Sequence, residues 1–169
     1  MNIKIQAYEK EYDPVLKEIW LEFVQDKEGS DMNIVPSNEN AERWLKFVKD
    51  RVKRGKGALN VALINDEKIA GYIFYSWDYS PLTTKMKMGI IYDLYVKPEF
   101  RRIGIGRALL NYALNILEKR GVEIVQLNVM SGNIPAISLY ENTGFVETMK
   151  VMRLYLSKTH IKTSNNIPL

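Results

Sequence analysis

The chain has 169 residues, enough for one domain with a substantial core and short for two. It contains no cysteine, which excludes disulfides, thiolate metal sites and a cysteine nucleophile. Its net charge of +4 comes from scattered basic residues, and no stretch reaches the ~18 apolar residues of a membrane helix, so we expect neither a nucleic-acid nor a membrane partner.

The first third of the sequence predicts one strand and two helices. Ile3 and Ile5 alternate with polar residues, a pattern typical of an edge strand and unlike a signal peptide, so we expect a cytoplasmic protein. Asp13 as N-cap and Pro14 at the first helical position open one helix, and a second starts near Ser37. Apolar residues at helical spacing give each helix a core-facing side: Val15, Leu16, Ile19, Trp20 and Phe23 in the first, Trp44, Leu45, Val48 and Val52 in the second.

Three strands follow. Ala58 to Ile64 and Lys68 to Trp77 are joined by a tight turn and predict a hairpin. Gly71, in the second of these strands, marks either a bulge or a close backbone approach. After a loop over residues 78–87, an apolar central strand runs from Met88 to Val96.

The last part of the chain predicts a helix to Arg120, a strand from Glu123 to Val129, a short helix from Ile134 to Asn142 and a final strand from Phe145 to Leu156. Residues 157–169 are polar, which is typical of a mobile tail. This order predicts a single domain over residues 1–156. Its central mixed sheet is covered by helices on both faces, which is an α/β fold.

A turn rich in glycine and arginine joins the central strand to its helix. A helix N-terminus presents unpaired N–H groups and the positive end of the helix dipole, and glycine lets an anion approach them closely. Arginine adds forked donors that suit phosphate oxygens. The sequence therefore predicts an anion site at this turn, which we call the phosphate turn and which consists of Arg101, Arg102, Ile103, Gly104, Ile105, Gly106, Arg107 and Ala108.

Competing explanations of the phosphate turn fit the sequence less well. A dinucleotide-binding fingerprint needs a third glycine where the chain has Leu109, and a phosphate-loop NTPase needs glycine and lysine before serine or threonine. A plain helix start is the remaining alternative, although few helix starts combine two glycines with three arginines in seven residues.

Two spaced motifs resemble the GNAT N-acetyltransferase superfamily. The first is Leu94-x-Val96-x-Pro98 followed by Arg101-x-x-Gly104-x-Gly106, which is similar to the acetyl-coenzyme A motif of that family. The second is Asn133-x-x-Ala136-x-x-x-Tyr140-x-x-x-Gly144-Phe145, downstream by one helix and one strand. The detailed resemblance covers roughly residues 88 to 156. It implies the GNAT fold, with a mixed, mostly antiparallel sheet whose central strand splays from the next strand to admit coenzyme A.

The resemblance also implies roles for individual residues. Acetyl-CoA would be the cosubstrate, with its pyrophosphate at the phosphate turn and its pantetheine arm along the backbone of Leu94, Tyr95 and Val96. Asn133 would bond the pantetheine or phosphate region, cap a helix, or do both. Tyr140 would donate a hydrogen bond or a proton to the departing thiolate; the alternative is a tyrosine at the edge of the core.

A general base is harder to assign. Members that resemble ribosomal-protein acetyltransferases usually carry a glutamate where this chain has Asn128, which weakens a protein N-terminus as the substrate. Asp93 interrupts an apolar strand, so it is our catalytic carboxylate, with a purely structural carboxylate as the alternative. The carboxylates expected to border the acceptor cleft are Glu28, Asp31 and Asp78.

Other polar and aromatic residues suggest no second chemistry. His160 is the single histidine and lies in the tail, so we expect no metal site. Aromatic side chains could line an acceptor pocket, but alternation along a strand explains most of them as core and surface: Tyr72, Tyr75, Trp77 and Tyr79. Basic residues between Lys49 and Lys56 suit a helix C-terminus without any partner.

Two functions of different class follow. The first is an acetyl-CoA-dependent N-acetyltransferase acting on a primary amine of a small molecule, polyamine or protein, by direct attack in a ternary complex. The second is a non-catalytic module that binds acetyl-CoA or CoA. The oligomeric state stays open, although homodimers formed through strand edges are common in the family that the chain resembles.

Overall fold

The computed structural model describes residues 2–26, 31, 33–79 and 86–156. Strands and helices follow one another in the order that the sequence predicts, as far as the short helix predicted from Ile134. They are β1 Ile3–Ala7, α1 Asp13–Gln25, α2 Asn38–Lys53, β2 Gly57–Ile64, β3 Lys68–Tyr79, β4 Lys87–Val96, α3 Ile105–Lys119, β5 Ile124–Leu127 and α4 Ile134–Glu141.

The strands form one sheet in the order β1-β2-β3-β4-β5. The first four pair antiparallel with their sequence neighbours. A tight turn joins β2 to β3, whereas α1 and α2 lie between β1 and β2. β5 pairs parallel with β4, which requires the crossover through α3. The α/β fold with a mixed, mostly antiparallel sheet is confirmed.

Helices cover the sheet on both faces. On one face, α1 and α2 bury an apolar cluster against β2 and β3, with members that include Leu16, Ile19, Val48, Val61 and Tyr72. On the other face, α3 buries a second cluster, with members that include Ile73, Ile91, Leu109, Leu110 and Leu117. The central strands β2, β3 and β4 contribute side chains to both clusters, so the sheet separates the core into two halves.

Gly71 explains how β3 and β4 fit together. The register of β2 and β3 shifts between Ala62 and Leu63, directly opposite Gly71. A Cβ atom at Gly71 would lie 2.4 Å from the carbonyl oxygen of Tyr95. Both predicted reasons for a glycine at this position, the bulge and the close backbone approach, are confirmed.

A second bulge lies in β4 at Tyr92. Phe74 pairs with Asp93 and Tyr75 pairs with Ile91, so Tyr92 has no partner in β3. The extra residue reverses the alternation of the strand. As a result, Ile91 packs with the α3 cluster, while Tyr92 contacts Phe47 of α2 at 5.4 Å and Asp93 also faces α2. The bulge therefore points a carboxylate out of an otherwise apolar strand.

Two predictions from the sequence are wrong. No strand forms over residues 145–156, which have no ladder partner in the described part of the chain. Except for Phe145, which packs against the core, their apolar side chains stay exposed, Met152 and Leu156 at 92% each. Asp13 is not an N-cap: the cap is Tyr12, and the Asp13 carboxylate accepts from Tyr8 and Lys49 instead.

Some predicted features lie outside the described residues. These are Glu28, most of the loop after β3, His160 and the tail of residues 157–169. Within the described residues, β3 continues to Tyr79 and β5 is shorter than predicted, ending at Leu127.

Candidate active site

The gap between β4 and β5 is the central feature of the site. Their parallel pairing ends at Ile91 and Leu127. Beyond this pair, β4 continues to Val96 while the chain after β5 leaves the sheet, so the β5-facing side of residues 92–96 has no ladder partner in the described chain. We call this stretch the open edge. Unpaired backbone N–H and C=O groups need partners, so the open edge is a ready surface for an extended polar ligand.

The phosphate turn lies directly after the open edge. Gly104, at φ 90°, is the N-cap of α3, and Arg102 has φ 66°, so both residues adopt the left-handed conformation. The first backbone bond of the helix runs from Ala108 N to Gly104 O at 3.0 Å. The N–H groups of Ile105, Gly106 and Arg107 therefore have no acceptor among the described residues. This arrangement can bind an anion.

The three arginines of the turn differ in their surroundings. Arg101 donates from Nε to Val96 O at 2.8 Å and from Nη2 to Asp26 at 2.6 Å, and it lies 5.4 Å from the Tyr95 ring centroid. Its guanidinium therefore joins the end of α1 to the turn. Arg102 and Arg107 are exposed and make no ion pair with a described residue, so they are the cations available to a phosphate.

The apolar residues of the site contribute backbone rather than side chains. Ile105 is buried in the α3 cluster, and Leu94 and Val96 pack against the same cluster. Ile103 is 45% exposed beside the turn, while Ala108 is half-buried. A Cβ atom on Gly106 would meet Leu139 and Val96 at ordinary contact distances of 3.6 and 3.8 Å, so it would point toward the protein.

Asp93 lies at the start of the open edge. Its Oδ2 accepts a hydrogen bond from the indole Nε1 of Trp44 at 2.7 Å. The residue as a whole keeps some exposure, but burial of its carboxyl raises the pKa to about 6, although the Trp44 bond acts to lower it. A carboxylate with a pKa close to neutrality is suited to accept a proton at physiological pH.

Tyr140 reaches the same region from α4. Its ring packs against Phe145 at 5.8 Å. Burial, and then the Asp93 charge, raise the pKa of Tyr140 to about 12. The two side chains are thus within electrostatic reach of each other, and the phenol stays protonated. This favours hydrogen-bond donation over full proton transfer.

Asn133 caps α4, as one of its two predicted roles requires. Its Oδ1 accepts from Ala136 N at 3.2 Å. This bond leaves the side-chain NH2 group without a partner among the described residues.

The remaining candidate carboxylates already have partners. Asp31 accepts a bidentate pair of bonds from Arg153, one of them at 2.9 Å, and these bonds with the Asn33 N–H lower its pKa to about 2. Asp78 pairs with Lys56 at 2.8 Å, which lowers its pKa. Neither can serve as a base near neutral pH. Asn128 is exposed in the chain that follows β5.

The aromatic residues of β3 are mostly core. Tyr72 and Tyr75 are fully buried and Trp77 is 6% exposed, whereas Tyr79 is 63% exposed at the end of the strand. They are core residues because both faces of β3 are covered, and Tyr79 is exposed because it ends the strand. The expected alternation of core and surface along this strand is wrong. The basic residues after Lys49 also have internal contacts: Lys49 with Asp13, Arg51 with the Phe47 ring and Lys56 with Asp78.

Two residues of the site were missed by sequence reasoning. Trp44 has the pattern of a core residue on an amphipathic helix, and Asp26 that of a helix end. Their partners Asp93 and Arg101 lie 49 and 75 positions away, and no local pattern reports such contacts.

Membrane-spanning helices and groups of metal ligands are the remaining features that bear on partners. No helix in the described chain is long and apolar enough to cross a membrane. No group of three or more His, Cys, Asp or Glu residues that could hold a metal ion occurs among residues 2–26, 31, 33–79 and 86–156.

The sequence profile of the acetyltransferase (GNAT) family matches residues 14–145 of this chain. The chain belongs to the GNAT family. A curated relative, the N-alpha-acetyltransferase of Sulfurisphaera tokodaii, is 36% identical over 115 residues, 64% of this chain and 68% of the relative. The ribosomal protein bS18-alanine N-acetyltransferase of Escherichia coli K12 is 35% identical over 94 residues, 56% of this chain and 59% of that protein.

Solved structures agree with the fold of this GNAT protein. AAC(6')-Iy, solved with a CoA bisubstrate analogue, superimposes with a TM-score of 0.72 at 14% identity, covering 92% of this chain and 98% of the other. At this identity the comparison shows the shared fold alone. Family and relatives together assign acetyl transfer to amines, and they do not favour a non-catalytic module.

Proposed function

We propose that this GNAT enzyme transfers the acetyl group of acetyl-CoA to a primary amine in a ternary complex, with Asp93 as the base and Tyr140 as the hydrogen-bond donor. The observation that carries the proposal is the open edge of β4, which has Asp93 at one end and the phosphate turn beyond the other. One extended ligand can then bind along the open edge, with its anionic end at the phosphate turn and its other end near the base that would deprotonate the attacking amine.

The described residues fit acetyl-CoA. The unpaired N–H groups of α3 with Arg102 and Arg107 suit its pyrophosphate, and the unpaired backbone of the open edge suits the amides of its pantetheine arm. The side-chain NH2 of Asn133 is a further donor for this part of the ligand. Acetyl-CoA would supply the thioester that carries the acetyl group.

The two catalytic side chains have complementary protonation. Asp93, with a pKa of about 6, is mostly ionised at pH 7 and can accept the proton that an attacking ammonium must lose. Tyr140, with a pKa of about 12, keeps its proton and can donate a hydrogen bond to the departing sulfur. Backbone N–H groups of the open edge near Leu94 would polarise the thioester carbonyl.

We propose a peptide α-amine as the acceptor. Two relatives carry names that specify an α-amine or an N-terminal alanine. An α-amine, with an ordinary pKa of ~7.7–8.0, is closer to the pKa of Asp93 than a lysine amine at ~10.4, so Asp93 can deprotonate it more readily. Asn128 replaces the glutamate that related enzymes usually carry, but Asp93 would serve as the base in its place, so Asn128 does not oppose this assignment. A small amine is the second candidate, supported by the fold shared with AAC(6')-Iy.

We also propose that the protein is a cytoplasmic homodimer with one domain over residues 1–156. The apolar residues of the segment 145–156 support self-association, since Val151, Leu154 and Leu156 are 76%, 83% and 92% exposed. The absence of cysteine agrees with a reducing compartment.

A two-part measurement tests the enzymatic proposal. Titration calorimetry with acetyl-CoA is followed, on the same sample, by a thiol-release assay across peptides with free N-termini, the same peptides with blocked N-termini, polyamines and aminoglycosides. Release that requires a free N-terminus would support the α-amine assignment. Release on small amines alone would replace it with the second candidate, and absence of acetyl-CoA binding would overturn the site.

A further inference from the structure

Trp44 is fixed in position by three separate contacts. Its ring stacks on Trp20 at 5.9 Å between centroids with an interplanar angle of 24°, and it makes a T-shaped contact with the Tyr72 ring at 5.5 Å. Its indole N–H donates to Asp93 at 2.7 Å. Trp20 and Tyr72 are buried, so the indole cannot rotate away without disturbing the core.

Among the described residues, the Trp44 indole donates a hydrogen bond to one of the two carboxylate oxygens of Asp93. Oδ2 accepts from Trp44, while no donor to Oδ1 occurs among the described residues. An indole N–H donates and cannot accept, so it favours the ionised carboxylate. Oδ1 then remains available to receive a proton from a substrate.

The groups around Asp93 supply no compensating charge. Burial, and then the Asp93 charge, raise the pKa values of Tyr72 on β3 and Tyr140 on α4. Tyr95, two residues along β4, couples to Tyr72, and on α1 the Glu22 carboxylate is paired with Lys97. On α2, Arg43 pairs with Glu39 and Arg51 lies over Phe47. Among the described residues, burial and the Trp44 bond are the two causes that act on the Asp93 pKa.

We propose that Trp44 is a positioning residue for catalysis: its indole N–H holds Oδ2 of Asp93 so that Oδ1 faces the open edge as the proton acceptor. The inference rests on the proposed role of Asp93 as the base. It assigns to α2, which carries no family motif, a direct part in setting the pH range of the reaction. Trp44 acts through Asp93 and does not itself contact the reacting atoms.

The decisive variant is Trp44→Phe, which keeps an aromatic ring and removes the donor. Loss of a hydrogen bond to a charged group should move the acid limb of the kcat profile upward by roughly one to two pH units. KM for acetyl-CoA should stay unchanged, since the phosphate turn is untouched. Trp20→Phe is the matched control: it alters the same aromatic stack without touching Asp93, and its acid limb should not move.

Nuclear magnetic resonance separates the inference from the proposed function. The chain has three tryptophans, so the Trp44 indole signal can be assigned from single Trp→Phe variants. In the unmodified protein this signal should titrate with a midpoint near the Asp93 pKa of about 6, while the Trp77 signal should not. This measurement decides the inference even if Trp44→Phe does not fold.

The outcomes are distinct. A Trp44 indole signal that does not titrate, or an Asp93 carboxyl titration that is the same in Trp44→Phe, would overturn the inference. A carboxyl titration that moves upward while the activity profile stays in place would instead overturn the role of Asp93 as the base.

Discussion

Arg101 and Asp26 form an ion pair of 2.6 Å that ties the phosphate turn to the C-terminal end of α1. The pair lies in a groove that is also lined by Glu22, Lys97 and Glu99. Arg101, which the sequence predicts to face a phosphate, is therefore already paired with the Asp26 carboxylate.

Asp26→Asn should tighten acetyl-CoA binding. Removing a negative charge next to the turn leaves Arg101 more attractive to phosphate, by roughly threefold at low ionic strength, and the gain should fade in high salt. Titration calorimetry at two salt concentrations measures it. Asp66→Asn, in the β2–β3 turn, is the control and should change nothing. Weaker binding in Asp26→Asn would mean that the ion pair matters for holding the turn.

The two glycines of the phosphate turn should respond differently to alanine. Gly104 has φ 90°, so Gly104→Ala strains the backbone at a cost of roughly 1 kcal/mol and disturbs the unpaired N–H groups. Gly106 lies inside α3 with space for a Cβ atom, so Gly106→Ala should keep binding and slightly raise the melting temperature. Thermal unfolding and acetyl-CoA titration of both variants test this. Equal losses in both would contradict it.

Asp93→Asn should lower activity and raise stability. The folded pKa of about 6 lies above the ordinary value of 3.8, so the carboxyl favours the folded state fully below pH ~4, and this contribution is lost as the pH rises through 6. The variant should therefore gain a few degrees in melting temperature over the parent at pH 8 and almost none at pH 4.

The activity of Asp93→Asn supplies the second half of that test. The parent should lose activity as the pH falls through 6, since the base becomes protonated. The residual activity of the variant should lack this limb. A variant with the parent's acid limb would show that another group titrates.

Tyr140→Phe should lower kcat by about 100-fold while acetyl-CoA affinity changes little, because only the hydroxyl is lost. With the phenol pKa at about 12, Tyr140 should produce no alkaline limb below pH ~10. Single-turnover thiol release measures the chemical step. Tyr112→Phe on α3 is a matched control that should retain parent rates.

The segment of residues 145–156 should mediate self-association. Replacing Met152 and Leu154 by glutamate adds charge to an exposed apolar strip and should convert a dimer to monomers in sedimentation experiments. Lys150→Glu changes charge in the same segment without removing an apolar group, and it should leave the dimer intact. A parent that sediments as a monomer would contradict the proposal.

Local pattern predicted most of the fold. Apolar spacing located α1, α2 and α3, and the tight turn between two apolar runs located the β2–β3 hairpin, because each signal depends on near neighbours. The final strand failed because periodicity reports which side chains suit a strand and cannot report whether a partner strand is adjacent. Phe145 to Leu156 satisfies the first condition and lacks the second.

The site was predictable only where a motif is contiguous. The phosphate turn and Tyr140 follow from spacing within one segment. The Asp93 orientation depends on the bulge at Tyr92, and its partner Trp44 comes from another helix, so both require the tertiary fold. For the same reason, the sequence did not reveal that Arg101 already has a carboxylate partner.

The short pairing of β4 with β5 has a consequence for motion. Only four residue pairs join these strands, whereas five to nine pairs join each two neighbouring strands among β1 to β4 in the described chain. We expect β5 to open first, so amide hydrogen exchange should be fastest there within the sheet. A ligand that bridges the gap between β4 and β5 should slow hydrogen exchange in β5 far more than in β1 to β4.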